Sequence, residues 1–229
     1  MDARKAGVVA GLFWGTLITG VSLAGFLEPV ERLVRDRLLL LHVQPHSEPR
    51  TLIVAIDDAS LTALDHPWPF PRRFHADVIR NLAESLPAVI GLDLLVSEPS
   101  AFGRSDDEAL VAALARAKNV VLPVALASTQ EDTPTGSVYR TWLLKPLPIL
   151  EMNAVSTGLA AIVPDSDRIV RRFRRTYVFA DRRLPTFPTE LHRIVATRPR
   201  PAASLAQSGD VLIDFRGASG AIPGSRITV

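Results

Sequence analysis

The sequence predicts an α/β protein: a mostly parallel central sheet flanked by helices, preceded by one N-terminal transmembrane helix. Three observations carry this. Residues 51–56, 88–96 and 119–126 are continuous, β-branched apolar runs, the pattern of strands covered on both faces. Residues 71–86 and 105–117 between them repeat at helical spacing, so the order is β-α-β-α-β, a unit that crosses over right-handed. Residues 6–26 form twenty-one uncharged positions, roughly 30 Å as a helix, the thickness of a bilayer core.

Taken in order, residues 1–5 are a short cytoplasmic N-terminus, 6–26 the membrane span, 27–49 a linker helix and 50–229 an extracytoplasmic domain. Arg4 and Lys5 favour retention of the N-terminus in the cytoplasm, although Arg32, Arg35 and Arg37 beyond the span blunt that bias. Ser22-Leu23-Ala24 would serve as a cleavage site, but the apolar run exceeds the roughly 7–15 residues of a secretory signal, so an uncleaved single-pass anchor in the inner membrane is expected, with the globular part periplasmic. Gly7, Gly11, Gly15 and Thr19 recur every four residues and leave one stripe nearly bare, which suggests a homodimer. The leucine-rich helix that follows ends at Pro45 and Pro49.

In the globular part, Pro71 opens a helix whose Phe74, Val78, Ile79, Leu82 and Leu86 share one face. The next helix starts with Ser105-x-x-Glu108, a capping box, and three acids that suit the helix dipole. Residues 128–139 are polar and read as a loop. Residues 158–163 and 169–179, separated by Pro164-Asp-Ser-Asp167, read as a hairpin. A helix over 186–197 and a last, edge strand over 211–215 complete the chain.

With 229 residues the chain holds one domain of ordinary size and a short appendage. Hydrophobic residues make up 47% and charged ones 22%, which excludes a disordered chain and points to contact with lipid. The absence of cysteine removes disulfide scaffolds, thiol nucleophiles, zinc fingers and iron–sulfur clusters. The net charge of +2 hides an uneven distribution: ten arginines against two acids between Arg168 and Arg200 leave that stretch at +8 and the rest at −6.

The candidate chemistry lies where the strands end. Asp57 and Asp58 close the first run, Asp93 lies in the second and Glu98 follows it, so these carboxylates could converge on the crevice at the carboxyl edge of a parallel sheet. Asp58 or Ser60 could equally cap a short helix. Arg72, a cation in a first helical turn, opposes the macrodipole by roughly 0.3–1 kcal/mol and calls for a partner, for which Asp57 and Asp93 are the natural candidates. Trp68-Pro69-Phe70-Pro71-Arg72 is an aromatic and proline corner that either walls a pocket or seals the core.

Enzymatic signatures are absent. There is no Gly-x-Gly-x-x-Gly, Walker loop or Gly-x-Ser-x-Gly, and Ala59 stands where an Asp-first phosphatase wants its second aspartate. His42, His46, His66, His75 and His192 lack metal-ligand spacing, so neither metal nor cofactor is expected. Arg171, Arg172, Arg174 and Arg175 alternate between strand faces without a stacking platform; nucleic acid is not an expected partner, and Arg171 is kept as a contact for a small ligand. The alternative to a binding module is a metal-assisted phosphoester hydrolase holding magnesium on Asp57, Asp58 and Asp93.

Ile56-Asp57-Asp58-Ala59-Ser60-Leu61, Trp68-Pro69-Phe70-Pro71-Arg72 with His75, Ile90-Gly91-Leu92-Asp93, Glu98-Pro99, Asp107 to Leu110 and Gly158 together resemble the second type of CHASE domain. The likeness runs from about residue 36 to 229. Two positions depart from it: Phe70 replaces a frequent second tryptophan, and Arg168 replaces the glycine of an Asp-Gly-x-x-Arg segment. The resemblance implies a sensor held outside the cytoplasmic membrane by an N-terminal helix, usually followed by three further membrane helices and a cytoplasmic cyclase or kinase. No such output half follows here, so the expectation is the non-catalytic input half of a receptor. Its crevice, with Asp57, Asp58, Ser60, Trp68, Arg72, Asp93, Glu98 and Arg171 as ligand contacts, answers to an unknown small molecule or physical stimulus.

Overall fold

The computed structural model describes residues 3–23, 28–41, 51–64, 66–133, 136–196, 209–213 and 224–226. The chain divides into two compact units, residues 1–53 with 214–225, and residues 54–213 with 226–229.

The first unit contains helices α1 (Ala3–Leu23) and α2 (Glu28–Leu41). The expected membrane span is not found: among the described residues no helix is long and apolar enough to cross a membrane. Arg4 and Lys5 are taken into α1, which closes at Leu23. Its uncharged part, residues 6–23, reaches roughly 27 Å at roughly 1.5 Å per residue, against about 30 Å for a bilayer core. Within it Thr16 and Thr19 add hydroxyls, bonded back to the carbonyls of Leu12, Phe13 and Gly15 at 2.8–2.9 Å, and glycine recurs at 7, 11, 15 and 20. Ala24, Pro45 and Pro49, and with them the cleavage site and the end of the linker helix, lie outside the described residues.

The second unit is mixed α/β, with antiparallel and mixed sheets in place of the expected parallel one. Strand β1 (Ile53–Ala55) leads through Asp57 into the short helix α3 (Asp58–Leu64). Helix α4 (Arg72–Glu84) precedes β2 (Ile90–Gly91), and α5 (Arg104–Ala117) precedes the long β3 (Val120–Thr133). Strand β4 (Gly136–Leu144), the single turn α6 (Pro148–Glu151) and β5 (Ser156–Leu159) follow. The central sheet runs β2-β3-β4, with β5 also on β3. β2 and β5 are parallel to the first half of β3, in register Ile90 with Val120 and Val121 with Ser156, whereas β4 is antiparallel to its second half.

Two misreadings produced the parallel expectation. The run at 51–56 is apolar, but β1 is largely exposed and lies outside the central sheet; continuous apolarity does not by itself say what covers a strand. The polar stretch at 128–139 is not a loop: Thr129–Arg140, Gln130–Tyr139 and Glu131–Val138 are facing pairs of a two-stranded ribbon with solvent on both sides, where apolar alternation is not required.

The expected hairpin at 158–179 also resolves differently. Its first half belongs to β5, parallel to β3, and its second splits into β6 (Arg172–Arg174) and β7 (Thr176–Phe179). β7 pairs with β8 (Arg182–Pro185), and β6 with β9 (Asp210–Leu212), both antiparallel. Helix α7 (Phe187–Val195) occupies the expected helical stretch.

Helices cover both faces of the parallel half. On one, Ala76 and Ile79 of α4 and Leu110, Ala113 and Leu114 of α5 form a buried core with Ile90, Val120, Leu122 and Leu150. On the other, a Cβ added at Gly91 would meet Leu191 and Phe187 of α7 at 3.1–3.2 Å. Alternation along β3 aims Val120 and Leu122 at α4 and α5, and Val121, paired with Gly91, at α7.

Candidate functional site

Three segments meet at the carboxyl end of β2. The Trp68–Phe70 corner brings its rings together: Trp68 and Phe70 lie edge to face at 5.5 Å, and the His75 ring is 6.3 Å from both. Phe70 and His75 are 4% and 6% exposed, whereas Trp68 is 52% exposed, so one side of the indole faces solvent. The chain after β2 supplies the opposite wall. Together Trp68, Phe70, Arg72 and His75 with residues 94–98 enclose a pocket of about 210 Å³.

Arg72 has a partner, but not the expected one. Its guanidinium donates to the Asp107 carboxylate and to the Glu98 carbonyl, and its backbone N–H to Asp106 Oδ2 at 2.7 Å. Asp106 also accepts from the Arg73 N–H at 2.9 Å and from the Ser100 hydroxyl at 2.6 Å, while Asp107 accepts from the Ser100 N–H at 3.1 Å. The acidic first turn of α5 therefore caps the first two amides of α4, which Pro71 at the N-cap position cannot do for lack of a suitable side chain. Asp106 is 4% exposed. Burial works against its charge, yet the bonds from Ser100, Arg72 and Arg73 outweigh it and hold its carboxyl below 3.8. The capping box read at Ser105 is absent: Gly103 stands at the N-cap of α5 and Arg104 is its first residue.

His75 moves the other way. Burial and the Arg72 cation lower it from 6.5, against the opposing pull of Asp106, so the ring favours its neutral form.

Of the carboxylates expected to converge, Glu98 lines the pocket. Asp57 accepts from the Ser60 N–H and hydroxyl, both at 2.9 Å, and so caps α3. Ser60 is buried, and Asp58 and Asp93 are exposed. β1 lies outside the central sheet, and Asp57, Asp58 and Asp93 are not among the residues that line the pocket. Among the described residues no three of His, Asp or Glu stand together to hold a metal ion, so magnesium on Asp57, Asp58 and Asp93 finds no geometry. The pocket gathers Trp68, Arg72 and Glu98 of the expected contacts, and adds His75. Gly7, Gly11 and Gly15 of α1 have open space beside them, and Thr19 bonds the Gly15 carbonyl at 2.8 Å.

Arg171 is not among the residues that line the pocket. It is 4% exposed, 3.1 Å from Asp165 and 2.9 Å from Asp167, closing the turn before β6. In that turn Arg168 has φ of 65°, a left-handed conformation costing a side chain about 1–2 kcal/mol. Replacing Arg168 by Gly should therefore raise stability by about 0.5–1 kcal/mol in urea unfolding, once the greater freedom of an unfolded glycine is set against the relief.

The family model described as CHASE2 domain matches residues 10–228. This chain belongs to the CHASE2 family. CHASE2 domains are extracellular sensory domains of signalling receptors. Neither the comparison with curated proteins nor that with solved structures gives a match. Within the CHASE2 chain, Trp68, Pro69, Phe70, Arg72, His75 and Glu98 line one pocket, Asp107 pairs with Arg72, and Gly158 sits where a side chain does not fit. The residues that sequence reasoning underused are Ser100 and Asp106. Their signal was the unexplained cation at the start of α4, which demanded a carboxylate, and two adjacent acids in the first turn of α5 were the alternative to Asp57 and Asp93.

Proposed function

We propose that this CHASE2 chain is a non-catalytic, extracytoplasmic input module of a signal-transduction receptor, which takes its stimulus in the Trp68–His75 pocket and passes it on through the contact between α4 and α5. The output is a nucleotide cyclase or a kinase, as in receptors built with such domains. One observation carries the reading: Arg72 lines the pocket and also ties α4 to Asp107 of α5 and to the carbonyl of Glu98 on the opposite wall. An occupant that moves the 94–98 wall or the guanidinium must adjust the seam between the two helices. It acts by binding one arrangement of that seam better than another, and shifts the balance only as far as that difference allows.

The test is amide hydrogen exchange on the full chain with and without the small-molecule fraction of periplasm. The Arg72 and Arg73 amides, which donate to Asp106, should change protection, and Arg72→Ala should abolish the change. Identical exchange in the presence of every fraction contradicts a sensing role for this pocket.

A further inference from the structure

Two polar side chains that line the pocket have no protein partner among the described residues, His75 and Glu98. His75 is 6% exposed, yet among the described residues no hydrogen bond reaches its ring; its neighbours there are the Trp68 and Phe70 rings. Glu98 uses its carbonyl for Arg72, and among the described residues its carboxylate has no ion pair. Of the residues that line the pocket, Arg72 and Glu98 are the charged ones; Arg72 is paired with Asp107, which leaves the Glu98 carboxylate as the uncompensated charge of the lining. Beside it the exposed face of Trp68 is the aromatic surface to which cations are drawn.

From this we infer that the pocket binds a small organic cation, an ammonium group set against Trp68 and balanced by the Glu98 carboxylate, with a hydrogen-bond donor of the same molecule satisfying His75. The inference rests on the sensory reading of the site and names its ligand class. A neutral imidazole suits the part because it retains a lone pair to accept that bond, and burial keeps His75 neutral. The volume of about 210 Å³ is below the roughly 300–1,000 Å³ of sites for drug-sized molecules, so the cation is compact. Among the residues lining the pocket Arg72 is the one guanidinium, and it already serves a carboxylate and a carbonyl, so the lining offers an anion no free cation.

The experiment titrates the full chain with choline, with ethanolamine, with 3,3-dimethyl-1-butanol (the uncharged isostere of choline) and with acetate, following heat and tryptophan fluorescence. Choline or ethanolamine should bind at least tenfold more tightly than the isostere, a difference of about 1.4 kcal/mol. Glu98→Gln, at an exposed side chain whose loss leaves the fold intact, should reduce that affinity about tenfold, and Trp68→Phe should remove the fluorescence change while Trp14 and Trp142 remain. Equal binding of choline and its isostere, or a preference for acetate, overturns the inference. If none of the four binds while the periplasmic fraction still alters exchange at Arg72 and Arg73, the ligand class is wrong and the sensory reading stands. If neither occurs, both are overturned.

Discussion

Replacing Asp106 with alanine should cost about 3–5 kcal/mol and lower the melting temperature by about 10 °C or more, measured by urea and thermal unfolding of the full chain. The size follows from what one buried carboxylate holds. It accepts the first two amides of α4 and the Ser100 hydroxyl, all within 2.6–2.9 Å. Alanine leaves those donors without an acceptor next to the main core, and each unsatisfied donor costs about 1–3 kcal/mol. The loss is a large share of the roughly 5–15 kcal/mol that holds a domain together. Asp106→Asn, which keeps one acceptor oxygen, should fall between wild type and alanine.

The same carboxylate sets part of the acid response. Its folded value lies below 3.8, so its contribution is complete above that pH and is lost as pH falls through the lowered value. His75 adds an earlier step of the same sign: the unfolded chain takes up a proton near 6.5 and the folded chain only below that, so stability declines as pH drops beneath 6.5. Unfolding measured between pH 8 and 4 should show this first decline in wild type, and His75→Phe should remove it.

The second large effect is expected at Gly158. A Cβ there would lie 2.6 Å from Phe187 Cα and 2.8 Å from its nitrogen, distances that only a shift of backbone relieves. Gly158→Ala should push α7 away from β5. That movement also strains Thr186, which bridges to Leu159 and bonds the carbonyls of Arg174 and Arg175 at 2.8 and 3.3 Å. Overpacking typically costs about 1–3 kcal/mol, and a clash of main chain on main chain belongs at or above the top of that range. Gly91→Ala is the internal control. Its Cβ meets the Leu191 and Phe187 side-chain ends at 3.1–3.2 Å, which can rotate, so its cost should be less than half as large.

What the sequence disclosed follows from which signals are local. Helices α4, α5 and α7 were legible because apolar spacing and the early prolines at 71 and 188 act within a few turns. Strand pairing was not. Gly136 to Leu144 pairs back on β3 through polar, two-sided positions, and no periodicity announces that. β1 is apolar without being central. At the site, the need of Arg72 for a carboxylate could be deduced, but its source could not, because Asp106 and Asp107 are more than thirty residues distant in sequence. At Arg171 composition is silent for another reason: a buried arginine paired with Asp165 and Asp167 in a turn reads in sequence like one that meets a ligand. The unusual residue at 168 takes the positive φ that glycine would adopt freely, and the turn persists around it.

The central claim is that the pocket-bearing unit operates outside the cytoplasm. Because the chain has no cysteine, Tyr139→Cys, at a position 69% exposed on β4, creates a single reporter thiol. Intact spheroplasts producing the full chain are treated with a membrane-impermeant maleimide. The account predicts labelling as complete as in lysed cells, and labelling that appears only after lysis would contradict it.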